Sequence, residues 1–158
     1  MLFQSKNLWV IMDMIKGRPE RPSYIDGRLP YVDPQLRHFD PALPKFPSED
    51  EYNEGSFDSL KVHPTYYDTD YNRHVNNISY IVWLMESFPH EYLDHNLPEF
   101  FDVEWKKQCH LGDEIRVETK KKENSEEYYT KILRKCEDGS EEIAFHGITR
   151  WRKRVLDK

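Results

Sequence analysis

The stretch from Asn77 to Phe88, NISYIVWLMESF, is apolar on nearly every side, and this narrows the folds open to the chain more than any other feature. Ile78, Ile81, Val82, Trp83, Leu84 and Met85 leave a helix there little face for water, and such a helix belongs in an interior. At about 1.5 Å per residue it makes a rod of roughly 18 Å. The longest mostly apolar run, Ile78 to Met85, is far short of the roughly 20 residues that a membrane span requires. The expected interior is therefore a protein core. Asn76 or Asn77 supplies an N-cap, and Pro89 a stop.

The flanking sequence provides what could enclose the rod. Leu60 to Tyr66 reads as a strand, and four more strand candidates follow the helix at 99–109, 113–122, 127–136 and 141–152. In the first of these, Phe101, Val103, Trp105, Lys107 and Cys109 alternate with Asp102, Glu104, Lys106 and Gln108, giving one face for a core and one for solvent. Asp138-Gly139 is a tight-hairpin signal between the last two strands. The order predicts an α+β domain over 56–158, an antiparallel sheet wrapped around one central helix.

The preceding residues read differently. Seven of the ten prolines lie between Pro19 and Pro47, among Asp, Glu, Arg and Gly. Proline fixes φ and removes a donor, so 17–55 reads as an extended linker with at most short turns. A loop this long is unusual inside one domain and more plausibly joins two units. Before it, Ser5–Asp13 has the look of a strand. Ser5, Asn7 and Trp9 share the spacing of Gly147, Thr149 and Trp151, an echo that chance explains equally well.

Composition removes several function classes. The 158 residues carry 23 Lys+Arg against 29 Asp+Glu, a net charge of -6 that makes a nucleic-acid partner a poor first guess. The two cysteines, Cys109 and Cys136, do not suggest a disulfide framework and fit a reducing compartment. The N-terminus has no signal-peptide pattern. The expectation is a cytoplasmic globular protein with no membrane partner.

Chemistry concentrates in YYDTDYNRHVNN, Tyr66–Asn77, where Asp68, Asp70, Asn72, His74, Asn76 and Asn77 fall within ten positions. The bland reading is a polar turn with an Asx cap. The functional one is that the first N–H groups of the apolar helix, at its positive dipole end, await a developing oxyanion. An imidazole, ordinarily near pKa ~6.5, and a neighbouring carboxylate would supply acid–base chemistry beside them.

The run Asp70-Tyr-Asn72-Arg-His74-Val-Asn-Asn-Ile-Ser-Tyr80, followed by Trp83-Leu-Met-Glu86-Ser, resembles the acyl-acyl carrier protein thioesterase family, whose members hold two hot-dog domains in tandem. The likeness continues through Glu104-Trp-Lys-Lys-Gln-Cys109, Gly112-Asp-Glu and Gly147-Ile-Thr-Arg-Trp151. LWVIMDMIKGRPERP is similar to the closing strand and exit of the family's first hot dog. The resemblance implies a C-terminal hot dog carrying a stub of the first, residues 1–16, with the catalytic groups in the C-terminal one. It assigns Asp70, Asn72 and His74 to the active site: Asn72 on the thioester carbonyl, Asp70 holding the local network, His74 positioning the carbonyl or assisting proton transfer. Water would attack and release a free fatty acid and the carrier-protein thiol. Asn76, Ile81, Trp83 and Met85 are the expected substrate-binding residues, although spacing alone reads the apolar ones as core. No cofactor or metal is implied.

One position departs from the family. Gln108-Cys109 stands where members commonly carry Glu-Cys, and an amide cannot accept a proton at neutral pH. Either His74 with Asp70 takes the base role, or turnover is weak. Cys109 could be a nucleophile beside His74 and Asn72, but a small buried core residue is the favoured reading. Glu86 reads equally as a support for the site or as a solvent-facing helix end. His90 and His95, and likewise adjacent Cys109 and His110, do not share a face for a metal. Lys120–Lys122 and Arg150–Arg154 are solvated basic runs or an attraction for an acidic acyl carrier protein. A hot dog without its neighbour leaves an open sheet edge, so a homo-oligomer formed through that edge is expected.

Overall fold

The structure, a computed structural model, describes residues 12, 13, 15, 16, 18–20, 45–57 and 59–155. Most of the expected strand Ser5–Asp13 and most of the proline-rich stretch lie outside the described residues. The chain divides into two units, residues 1–45 and 46–158. In the first, β1 (Met12–Asp13) and β2 (Arg18–Pro19) form a small antiparallel hairpin. The Asp13 carboxylate holds its turn by accepting the Ile15 and Lys16 amides at 2.9 and 3.0 Å.

The second unit is the sheet and helix. Its elements are β3 (Glu54–Ser56), β4 (Leu60–Val62), α1 (Asn77–Glu86), α2 (His90–His95), β5 (Asn96–Trp105), β6 (Ile115–Lys121), β7 (Glu127–Lys135) and β8 (Glu141–Lys153). The strands form one antiparallel sheet in the order β3-β6-β7-β8-β5, with β4 also paired to β6. Tyr80, Trp83 and Leu84 of α1 pack on Ile115, Val117, Tyr128, Ile132, Phe145 and Trp151, which alternate inward along β6, β7 and β8. This is the antiparallel sheet around one helix that the pattern predicted. Among the described residues no helix is long and apolar enough to cross a membrane.

Close approach seats the rod. A Cβ on Gly147 of β8 would lie 2.9 Å from Leu84 Cδ1 and 3.2 Å from Val103 Cγ1, so only hydrogen lets the helix sit this deep. A hydroxyl chain pins the far end: Ser87 Oγ donates to the Leu84 carbonyl at 2.7 Å and meets Thr119 Oγ1, which meets Thr130 Oγ1, each at 2.7 Å. All three side chains are buried.

Several expectations need correction. The helix ends at Glu86 rather than 88, and Pro89 caps a second helix, α2, that the pattern did not suggest. One helix against one curved sheet is covered on one side only, so Ile78 and Val82 remain 66% and 48% exposed. Glu86 faces solvent, 3.9 Å from His90. β5 begins at Asn96 and admits Pro98 because it is an edge strand with a register shift there. It stops at Trp105, where the Lys106 and Lys107 amides both bond to the Ala144 carbonyl and end the alternation.

The expected linker also ends early. Phe46 and Tyr52 close the outer face of the sheet, Phe46 stacking on His146 at 3.8 Å and Tyr52 packing on Tyr129. His146 Nε2 lies 2.6 Å from Glu104, and its Nδ1 lies 3.1 Å from the Tyr129 hydroxyl. A neutral ring with its proton on Nε2 satisfies both partners. Burial lowers the imidazole pKa and outweighs the opposing pull of Glu104.

Gly147→Ala is expected to destabilise the domain by about 1–3 kcal/mol through overpacking beneath Leu84. Denaturant midpoints measure this, and an unchanged midpoint would mean that the helix does not rest on β8 at this point.

Candidate active site

Asp70 organises the polar run. Thr69 and Val75 pair across a hairpin whose loop is closed by Asp70 N–H donating to the His74 carbonyl at 2.8 Å. Asp70 Oδ1 accepts the amides of Asn72 (2.8 Å) and His74 (3.2 Å). Arg73 takes the left-handed conformation, φ 64, that a three-residue loop of this kind places at its last position. Asn72 and His74 are thus carried on one tight turn, Asn72 exposed and His74 half-buried.

The turn leads straight into α1. The Asn76 amide donates to the Asp68 carbonyl at 2.8 Å, and its side chain caps the helix by accepting the Ile78 amide at 2.7 Å. The Ser79 amide bonds to the Asn76 carbonyl, which leaves Asn77 N–H as the first-turn donor without an acceptor among the described residues. The expected cluster of helix-tip donors is therefore reduced to one, and Asn76 serves as the cap. Burial pushes the Asp68 carboxyl up, but hydrogen bonds from Thr65 and Ser79 together hold it below the usual carboxylate range.

A second segment meets the turn from the far end of β5. Val75 N–H donates to the Cys109 carbonyl at 2.8 Å, and Cys109 N–H donates to the Tyr80 hydroxyl at 2.9 Å. The Tyr80 hydroxyl in turn faces the Lys107 carbonyl at 3.4 Å. Arg134 Nη1 donates to the Gln108 carbonyl at 3.0 Å, while its other arm pairs with Glu142. Gln108 is exposed, one residue before the Cys109 carbonyl that receives Val75, and its own carbonyl is held by Arg134.

Cys109 lies at this joint through its backbone only. Its side chain is fully buried, and that burial raises the thiol pKa above the ordinary value. A thiol held protonated in the core is poorly suited to nucleophilic attack. Trp83 is also buried, while Ile81 and Met85 are half-buried on the helix flank. His110, weighed in the sequence only as a metal ligand, sits directly across a bridge from His74, with ring centroids 5.2 Å apart. Arg134 had no signal of its own, and Tyr80 stood only as the last residue of the resembling motif, because tertiary contact alone brings them to Gln108 and Cys109. Among the described residues no group of three or more His, Cys, Asp or Glu side chains gathers as a metal site. Lys120, Lys121 and Lys122 are each paired to a glutamate, which removes most of the charge of that run.

Comparison with known proteins adds the decisive observation. Residues 51–153 match the acyl-ACP thioesterase C-terminal domain. The chain belongs to that family. Among curated relatives, it is 28% identical over 134 residues to oleoyl-acyl carrier protein thioesterase 2, chloroplastic, of Arabidopsis thaliana, covering 72% of this chain and 35% of that protein. It is 33% identical over 104 residues to an acyl-[acyl-carrier-protein] hydrolase, chloroplastic, of Cuphea viscosissima, covering 63% and 25%. Among solved structures, the 12:0-ACP thioesterase of Umbellularia californica superposes with a TM-score of 0.63 at 19% identity, covering 90% of this chain and 53% of that one. An acyl-ACP thioesterase from Bacteroides thetaiotaomicron gives 0.60 at 19% identity, with 89% and 53% covered. These likenesses establish the hot-dog fold. The chain spans about a third or less of the length of these curated relatives and about half of the solved ones.

The burial of Cys109 gives a direct check. In the native protein a thiol alkylating reagent is expected to modify the half-buried Cys136 well before Cys109, and Tyr80→Phe, which leaves a buried amide without its acceptor, is expected to cost about 1–3 kcal/mol and to speed Cys109 labelling. Peptide mass mapping over time reads both. Equal labelling of the two cysteines in the parent would contradict the buried placement.

Proposed function

We propose that this protein hydrolyses the thioester of fatty acyl-acyl carrier protein, releasing free fatty acid. The observation that carries the reading is the backbone joint, Val75 N–H to the Cys109 carbonyl, that sets the Asp70-organised turn bearing Asn72 and His74 beside the segment bearing Gln108, next to the N-terminus of α1. Asn72 would orient the thioester carbonyl, the Asn77 amide would receive the oxyanion, and the half-exposed Ile78–Val82 side of α1 would lie along the acyl chain with Ile81 and Met85. Family membership and the names of the curated relatives support an acyl carrier protein as the carrier of the substrate. The Arg152–Arg154 end of β8, exposed and without carboxylate partners among the described residues, supports attraction to an acidic carrier.

Mixing the full chain with long-chain acyl-acyl carrier protein and measuring free fatty acid tests the reading. His74→Ala is expected to lower the rate by about 10²–10³-fold, the usual worth of one group positioned on the reacting carbonyl. No release above that variant would sink the proposal. A clear preference for acyl-CoA would instead support a single hot-dog acyl-CoA thioesterase, and acyl binding without turnover a non-catalytic remnant.

The active unit we propose is a self-associated one. The outer side of β5 has no paired strand among the described residues, and Phe101 and Trp105 are each 41% exposed along it. An unpaired edge bearing aromatic side chains invites another strand. Sedimentation is expected to show a dimer that weakens on Phe101→Lys substitution. A parent that stays monomeric at high concentration would overturn this.

A further inference from the structure

Position 108 raises a chemical problem: it lies at the joint, yet its amide has no lone pair basic enough to deprotonate water at neutral pH. Asp70 is committed to the turn, its Oδ1 accepting two backbone amides. The Cys109 thiol is shut in the core. Two imidazoles also stand at the joint, His74 and His110, and His110 was not among the expected catalytic residues, while the nearby Asp113 carboxylate is engaged by the His110 amide.

We propose that His110 is the catalytic base that stands in for the carboxylate missing at Gln108. The proposal rests on the thioester-hydrolase reading. Gln108 and His110 flank the buried Cys109, and both face solvent, so His110 offers a basic ring beside the position where an acid side chain is absent. His110 pairs with His74 across an antiparallel bridge, and directly opposed residues project from the same side of the pair. The rings meet edge to face at an interplanar angle of 80°. The backbone of His110 is held on both sides: its amide donates to Asp113 Oδ2 at 2.8 Å, and its carbonyl accepts the Asp113 amide at 3.2 Å. The left-handed Gly112, φ 89, turns the chain between them. One residue earlier, the Cys109 carbonyl accepts the Val75 amide. The base is thereby fixed in register with the turn that carries Asn72 and His74.

The step balances without a further reagent. A ring nitrogen of His110 takes one proton from water as the water oxygen bonds to the thioester carbonyl carbon. The carbonyl electron pair moves to oxygen, then returns as the carbon–sulfur bond breaks. The proton passes from the imidazolium to the departing thiolate, giving carboxylic acid and carrier thiol. His74, half-buried against the Asp70 turn, holds the carbonyl end, and the exposed His110 meets solvent water.

The test compares His110→Ala and His110→Asn in the parent and in a Gln108→Glu background, with long-chain acyl-acyl carrier protein as substrate. In the parent both are expected to lower kcat by about 10²-fold or more with little change in KM, and added imidazole to restore part of the His110→Ala rate. In the Gln108→Glu background the same changes are expected to cost only a few-fold, because a carboxylate is again present to take the proton. The exposed side chain makes an unchanged denaturant midpoint the check on folding. An active parent indifferent to loss of His110, or equal losses in the two backgrounds, overturns this proposal and leaves the hydrolase reading standing. A parent with no hydrolysis of acyl carrier or CoA thioesters overturns both.

Discussion

Two backbone amides hold the candidate site together. Val75 N–H reaches the Cys109 carbonyl, and Cys109 N–H reaches the Tyr80 hydroxyl, so the turn, the helix and the segment after β5 meet at one buried residue. Each donor is removed from water and would be costly to leave unpaired. The polar groups exposed around this joint depend on it for their relative placement. A cysteine suits the position because it is small and apolar enough to bury fully, and its contribution is made by the main chain.

The helix that carries the joint is anchored at both ends by polar contacts and along its length by apolar ones. Asn76 caps it at one end, and Ser87 ties it to Thr119 and Thr130 at the other. Between them Leu84 lies against Gly147, where the absence of a side chain sets the depth. Apolar burial supplies the driving force but is indifferent to small slides along the axis. Directional hydrogen bonds supply the register, and register fixes where the helix tip meets the polar turn.

Much of this was legible in the chain. The strands expected at 113–122, 127–136 and 141–152 match β6, β7 and β8, and the apolar run marked α1 because its core side is so rich. Where the reading failed, tertiary contact had overridden a local pattern. The alternation from Phe101 to Cys109 looks continuous, but two successive amides on the Ala144 carbonyl break it after Trp105. Proline density argued for a linker up to residue 55, yet Phe46 and Tyr52 fold back on Tyr129 and His146 because the outer face of the sheet offers aromatic partners. Apolar residues all round α1 suggested complete burial, but a single sheet cannot cover both sides of a helix.

The site divides in the same way. Asp70, Asn72 and His74 are close in sequence, so local turn chemistry alone determined that they would share one turn, and the family motif was readable for the same reason. The sequence alone also settled that no carboxylate stands at 108. Which groups gather around that segment was decided only by the fold: His110 lies across a bridge from His74, Arg134 reaches the Gln108 carbonyl from β7, and Tyr80 reaches the Cys109 amide from the helix, through pairings set by the register of the sheet and the depth of the helix. Those pairings join residues distant along the chain, and a linear pattern carries no information about distances that only packing creates.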